Sequence, residues 1–344
     1  PAPAHPRFPG PGAPPRAASG SPGGAWQDRR VISSRRARAN LLLLLCAAIW
    51  GFAFVAQVVG AHVGAFTFNS TRFLLGAASL APVIAWSDRR QGLDAAARRA
   101  RWRAVLLPGL LCGGFLYVGS TLQQVGLEST TAGNASFITG LYVVMVPLVG
   151  LALGRRTAAN VWVAAGVAVA GLFLLTMTGP GLRMNPGDLL CLAGTLGWTG
   201  HILAIGRFSR ALDVLRLSVA QFVANGVYAG ATALAVEPRA FAGVPGVLWP
   251  LAYAGVVSVG LAYTLQVVAQ ADALESHAAL IMSLETVFGA LGGALFLGER
   301  MAPVGYLGAA LMLGGILWSQ LPERGRPPAA AVPVPEPPST ALET

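Results

Sequence analysis

LALGRR at residues 151–156 and LFLGER at residues 295–300 are two versions of one turn, 144 residues apart. The same shift lays Trp162 over Tyr306 and Gly171 over Gly315, beyond the turn on its C-terminal side. Shifts of 148 and 149 residues bring Trp50 over Trp198, and Arg72-Phe73 over Gln221-Phe222. Offsets that drift by a few residues are what loop insertions leave behind in a duplicated chain. The period is far longer than that of a solenoid unit, so the repeated object is a domain half.

Each copy of the turn lies between long apolar stretches. Over 344 residues only 11% are charged and 54% hydrophobic, with a mean hydropathy of +0.61. A soluble domain carries roughly a quarter charged residues. Stretches long enough to cross a hydrocarbon core of about 30 Å fall near 40–60, 66–86, 104–125, 131–153, 159–177, 187–206, 214–236, 247–269, 277–298 and 302–320. The sequence therefore predicts an all-α integral membrane protein of ten transmembrane helices. Pro82, Pro108, Pro147 and Pro250 lie within spans and mark expected kinks.

With five spans per copy, the second copy enters the bilayer from the side opposite the first. The expectation is two inverted five-helix repeats related by a pseudo-two-fold axis in the membrane plane. The expected organisation is a disordered tail over 1–38, repeats over 39–178 and 186–321, and a second disordered tail over 322–344. The first tail is rich in Pro, Gly, Ala and Arg and lacks apolar periodicity, and the second, with its PPAAAVPVPEPP run, looks equally unstructured. The chain begins with Pro1 rather than Met, and the length of its first tail argues against a cleaved leader ahead of Leu41.

The net charge of +10 comes entirely from arginine, since the chain has no lysine. With the N-terminus inside, twenty arginines fall in inner regions, only Arg183, Arg239 and Arg300 fall outside, and Arg72 lies within a span. Short loops rich in positive charge stay cytoplasmic, which places both termini in the cytoplasm of a cell (inner or plasma) membrane. Charge distributed this way reports topology, and no nucleic-acid partner is expected. Cys46, Cys112 and Cys191 all lie in apolar spans and read as small packing residues.

At HAALIMSLETVFGALGGALFLGER, residues 277–300, the chain resembles the drug/metabolite transporter superfamily, specifically its ten-helix EamA-type members. IWGFAF at 49–54 is similar to that family's first-helix Trp-Gly signature, and FNSTRF at 68–73 to its second-helix Arg motif. The resemblance covers roughly residues 40–320 and is far more specific for fold than for substrate. It implies that helices one to four of each repeat surround a central cavity, with the fifth and tenth packed outside. The composition of the spans at 159–177 and 302–320 agrees, for both are almost wholly apolar, and their glycines Gly166, Gly171, Gly308, Gly314 and Gly315 offer close-packing or dimer surfaces. Two positions depart from the pattern. Thr286 stands where Pro would follow Ser-Leu-Glu and break span nine, and Arg155 stands where the first Gly-Glu-Arg turn would be acidic.

An ionisable group in hydrocarbon costs about 2.5–3.5 kcal/mol at the centre of a helix on insertion scales, so it has a partner, a cavity or a task. Arg72 in span two and Glu285 in span nine are the clearest, separated in depth by about 8 Å if both face inward. That is close enough for direct or water-bridged coupling, of the kind proton coupling or a charged substrate would use; capping of backbone carbonyls by Arg72 and anchoring of span nine by Glu285 are the structural alternative. The first repeat has Leu141 where the second has Glu285, so any acid-dependent step belongs to one half. Trp50 and Trp198 lie deep in equivalent spans, away from the interfaces where Trp is usual, and read as apolar cavity walls or core packing. His201, Asn134, Tyr142, Gln221 and Tyr263 complete the candidate substrate-binding or coupling set as hydrogen-bonding groups.

No phosphate-cradling Gly-Lys-Ser loop, His-Glu-x-x-His or thiol cluster is present, so neither a catalytic site nor a cofactor or metal is expected. The sequence thus predicts a secondary carrier of a small organic solute, an amino acid or related metabolite, working by alternating access. Its partners would be that solute, the lipid bilayer and protons, in a monomer or homodimer. Efflux as the direction follows from the resemblance alone. The alternative is a membrane enzyme or a non-transporting scaffold.

Overall fold

The computed structural model describes residues 22–130, 132–155, 157–176, 185–296, 298 and 303–319; the side chains of 22–33, 132–134, 137, 175 and 176 also lie outside the described set. Among the described residues the chain folds as ten helical spans. These are α1 (Pro22–Gly60), α2 (Ala65–Arg90), α3 (Ala95–Gly126), α4a (Ala132–Gly140) with α4b (Tyr142–Ala152), and α5 (Ala159–Thr176). The second half supplies α6 (Pro186–Phe208), α7 (Val214–Val236), α8 (Val244–Asp272), α9a (Glu275–Met282) with α9b (Glu285–Phe296), and α10 (Pro303–Ser319). The outer surface is oily, with Leu107 76%, Trp249 81% and Leu234 74% exposed. Arg72, Gln124, Gln221, Asn225 and Glu285 are buried instead, the inside-out distribution of a protein whose solvent is lipid.

Two expectations need correction. Residues 22–38, read from composition as part of a disordered tail, continue α1 as helix. From Ala25 to Trp50 there is no Gly or Pro, Ala and Arg are strong helix formers, and a span already nucleated propagates one hydrogen bond per residue. The rest of that tail, and the C-terminal tail, lie outside the described residues. The second correction concerns the helix breaks. Helices α2 and α3 run through Pro82 and Pro108, whereas the fourth span is interrupted at Leu141 and the ninth at Ser283–Leu284. The ninth span therefore breaks without the proline that Thr286 replaces. At this break Ser283 Oγ donates to its own chain at Leu280 O, and Thr286 Oγ1 donates across to Ser136 O (3.2 Å) in the other broken span.

The repeat is visible in the packing. Helix α2 packs on α7 and α5 on α10, while α1 packs on α8 and α9b as α6 packs on α3 and α4. Every main contact thus joins one repeat to the other. Where α5 meets α10, Gly171 lies against Gly308 O and Gly315 lies against Ala164 O, so close that a Cβ on either would sit within 3.0 Å of that oxygen. Adding 144 converts 171 to 315 and 164 to 308, so the two contacts are images of each other about the pseudo-two-fold axis. Gly166 and Gly314, expected to share this role, face open space.

The spans are tied at their ends. Beyond α4b, Gly154 adopts φ +76°, and its counterpart Gly298 beyond α9b adopts φ +68°, a left-handed turn that favours glycine. Arg155, the departure in the first of these turns, pairs with Glu275 at the start of α9a (2.7 Å). At the same end Arg216, wholly buried at the start of α7, holds Asp88 of α2 (2.5 Å) and Asp213 (2.6 Å) beneath the Trp102 ring. At the opposite end the Glu237 carboxylate, following α7, accepts from the backbone N–H groups of Phe66 (2.9 Å) and Thr67 (3.1 Å), which caps the N-terminus of α2.

Candidate substrate cavity

The two helix interruptions meet in the middle of the bundle and place the central chemistry there. Glu285 is the first residue of α9b and Tyr142 the first of α4b, so each stands at the positive end of a half-helix. Tyr142 Oη donates to Glu285 Oε1 at 3.1 Å, a bond that runs between the repeats. Glu285 is 6% exposed, and among the described residues no cation lies within 4.0 Å of its carboxylate.

Arg72 reaches the same cavity from α2. Its guanidinium carbon lies 5.0 Å from the Phe73 ring centroid and 5.6 Å from that of Phe68. No described carboxylate lies within 4.0 Å, and its buried Nε finds no acceptor. The direct ion pair with Glu285 that depth alone allowed is not formed; the carboxyl accepts instead from Tyr142 on the facing half-helix. Among the described residues the cavity thus contains one cation and one acid, neither with an opposite charge within 4.0 Å.

Aromatic rings make the walls. Tyr263 of α8 is their hub, with ring centroids 4.6 Å from Trp50, 6.4 Å and nearly parallel from Trp198, 5.9 Å from Phe73 and 6.1 Å from Phe222. The tryptophans obey the repeat symmetry, for each indole N–H donates to the third helix of the other repeat. Trp50 Nε1 donates to Ser258 O (3.2 Å) on α8, and Trp198 Nε1 to Gln123 Oε1 (3.1 Å) on α3. Ser258 and Tyr263 belong to a π-helical stretch, Tyr253–Tyr263, a winding that recurs at functional sites.

The structure brings Trp50, Arg72, Tyr142, Trp198, His201, Tyr263 and Glu285 around one cavity. Gln221 stands behind it, its amide oxygen in hydrogen-bond contact with His201 Nε2 (2.8 Å). The side chain of Asn134 lies outside the described residues. Gln57, Gln123, Ser258 and Met282 also line the cavity and were not among the candidates. Gln57 and Gln123 carried a signal, an amide inside an apolar span, whereas Ser258 contributes a backbone carbonyl that no residue type announces.

The space open to the centres of water-sized spheres is about 40 Å³, room for roughly three waters. Binding sites for drug-sized molecules run to about 300–1,000 Å³. This conformation is therefore contracted around its polar groups.

Residues 37–177 and 185–320 each match the EamA-like transporter family, so the family unit occurs twice in the chain. An "Uncharacterized transporter" of Archaeoglobus fulgidus is 30% identical over 293 residues, spanning 82% of this chain and 86% of that protein. "Uncharacterized transporter YwfM" of Bacillus subtilis is 22% identical, spanning 81% of this chain and 92% of its own. A solved structure titled "Crystal structure of protein" shares the fold at 17% identity with a TM-score of 0.67, covering 82% of this chain and 96% of that one.

Proposed function

Because this chain belongs to the EamA-like transporter family and is a multi-pass membrane protein, we propose that it exports a small zwitterionic solute, an amino acid or related metabolite, across the cell membrane in exchange for protons. The observation that carries this reading is the cavity itself: an unpaired guanidinium and an unpaired carboxyl, walled by aromatic rings, at the interface of two repeats.

A solute carboxylate gives Arg72 its first acid partner, and a solute ammonium does the same for Glu285, each a charge-assisted bond in a nearly dry site. The rings of Trp50, Trp198 and Tyr263 receive the organic part. A proton and an ammonium compete for the same Glu285 carboxylate, so protonation from one side releases the solute to that side. This exclusion is all that exchange requires. Alternating access follows from rocking one repeat against the other about the cavity, with both termini in the cytoplasm. No nucleotide energy enters this scheme, and the chain acts as a carrier, not as an enzyme.

The test is transport in proteoliposomes, with candidate solutes first selected by thermal shift of the purified protein against a metabolite collection. Wild-type flux of a selected solute follows an imposed pH gradient between pH 5.5 and 8.5. Glu285→Gln keeps the fold and loses that response. A variant whose flux still tracks the gradient removes Glu285 from the coupling step.

A further inference from the structure

Among the described residues the largest collection of unpaired charge lies far from the cavity, on the hairpin between α2 and α3. Arg89 and Arg90 close α2, and Arg98, Arg99, Arg101 and Arg103 open α3. The carboxylates nearby are already engaged: Asp88 with Arg216, Asp213 with Arg216 and Arg101, and Asp94 as the N-cap of α3, accepting from Ala97 N–H at 2.7 Å. Arg89, Arg90, Arg98, Arg99 and Arg103 are exposed, and none has a described carboxylate within 4.0 Å.

Their position is not that of an ordinary solvated loop. Helix α3 has 32 residues and is therefore about 48 Å long, against a hydrocarbon core of about 30 Å, so about twelve residues project beyond the core. Leu107 (76% exposed) and Leu111 (49%) face lipid, and Arg99 and Arg103 continue that same i, i+4 row toward the helix start. The cations thus stand on the lipid-facing stripe at headgroup depth, directly above the surface that acyl chains cover. Across the hairpin, exposed Trp86 carries the Arg90 guanidinium 5.1 Å from its ring, a side chain placed as interfacial tryptophans are. Beside the row, a cleft of about 300 Å³ between α3 and the α6–α7 turn is lined by Arg101, Ala104, Ala211, Leu212 and Asp213, whose carboxylate is the one already held by Arg216 and Arg101.

We propose that this end of the α2–α3 hairpin is a binding site for the phosphate headgroup of an anionic phospholipid, held by Arg99 and Arg103 with its chains along Leu107 and Leu111. Charge complementarity selects an anion, and the exposed leucine row selects one that carries acyl chains, as a free phosphate does not.

The test uses the full chain purified in neutral detergent, titrated with dioctanoyl phosphatidylglycerol, dioctanoyl phosphatidylcholine and inorganic phosphate, with bound lipid counted by native mass spectrometry. Saturable retention of the anionic lipid is expected, with little retention of the zwitterionic one. The double substitution Arg99→Gln with Arg103→Gln weakens it about 30-fold, each arginine near an anionic surface contributing about fivefold. Arg239→Gln, at the opposite end, leaves it unchanged. If the double variant is recovered unfolded, Arg99→Gln and Arg103→Gln singly carry the test at about fivefold each. Equal retention of the two lipids, competition by inorganic phosphate at equal concentration, or arginine variants that bind as wild type would each overturn the proposal.

Discussion

Replacing Arg72 by Met separates a working residue from a structural one, because the two roles predict stability changes of opposite sign. Methionine keeps much of the length and apolar stem of arginine and removes the guanidinium. That group is buried with no described carboxylate within 4.0 Å and an unsatisfied Nε. Insertion scales put the cost of such a cation near a helix centre at about 3 kcal/mol. The Phe73 and Phe68 rings, at 5.0 and 5.6 Å, return about 1 kcal/mol each. The difference predicts that Arg72→Met is more stable than wild type by about 1 kcal/mol while solute flux falls to the background of empty liposomes. Chemical or thermal unfolding in detergent measures the first, and proteoliposome flux the second. A variant that loses 2 kcal/mol or more along with its flux would mean that Arg72 holds helices together, and the reasoning from an unpaired cation would fail.

Two further outcomes follow from the packing. Asp88→Asn leaves Arg216, buried at the start of α7, with only Asp213 for compensation, and breaking a buried pair in this way costs about 3–5 kcal/mol, readable as a lower unfolding midpoint. Gly171→Ala drives a methyl into Gly308 O on α10 and should destabilise by about 1–3 kcal/mol, whereas Gly166→Ala, one face away in open space, is neutral or slightly stabilising.

The spans, their number and the 144-residue correspondence were legible because hydropathy and self-similarity need no knowledge of how a helix is rotated. The rotation itself was not legible. A span such as 159–177 is apolar around its whole circumference, so no amphipathic stripe declares which side faces its neighbours. That is why Gly166 and Gly171 looked equivalent in the sequence and are not. Polar residues within spans did mark positions that share one cavity, since Arg72, Tyr142, His201 and Glu285 all line it. Their pairing was beyond reach: Tyr142 meets Glu285 only because two breaks of different sequence, at Leu141 and at Ser283–Leu284, fall opposite each other across the repeats. Composition misled at residues 22–38, where an arginine-rich segment continues a helix whose nucleation lies downstream in α1.

The claim on which the cavity and its alternation rest is that equivalent turns of the two halves face opposite sides of the bilayer. Cysteine placed at Gly154 and, separately, at Gly298, in a background lacking Cys46, Cys112 and Cys191, tests it with a membrane-impermeant thiol reagent applied to sealed, oriented vesicles. The account predicts that one site labels only from inside and the other only from outside. Labelling of both from the same side would contradict it.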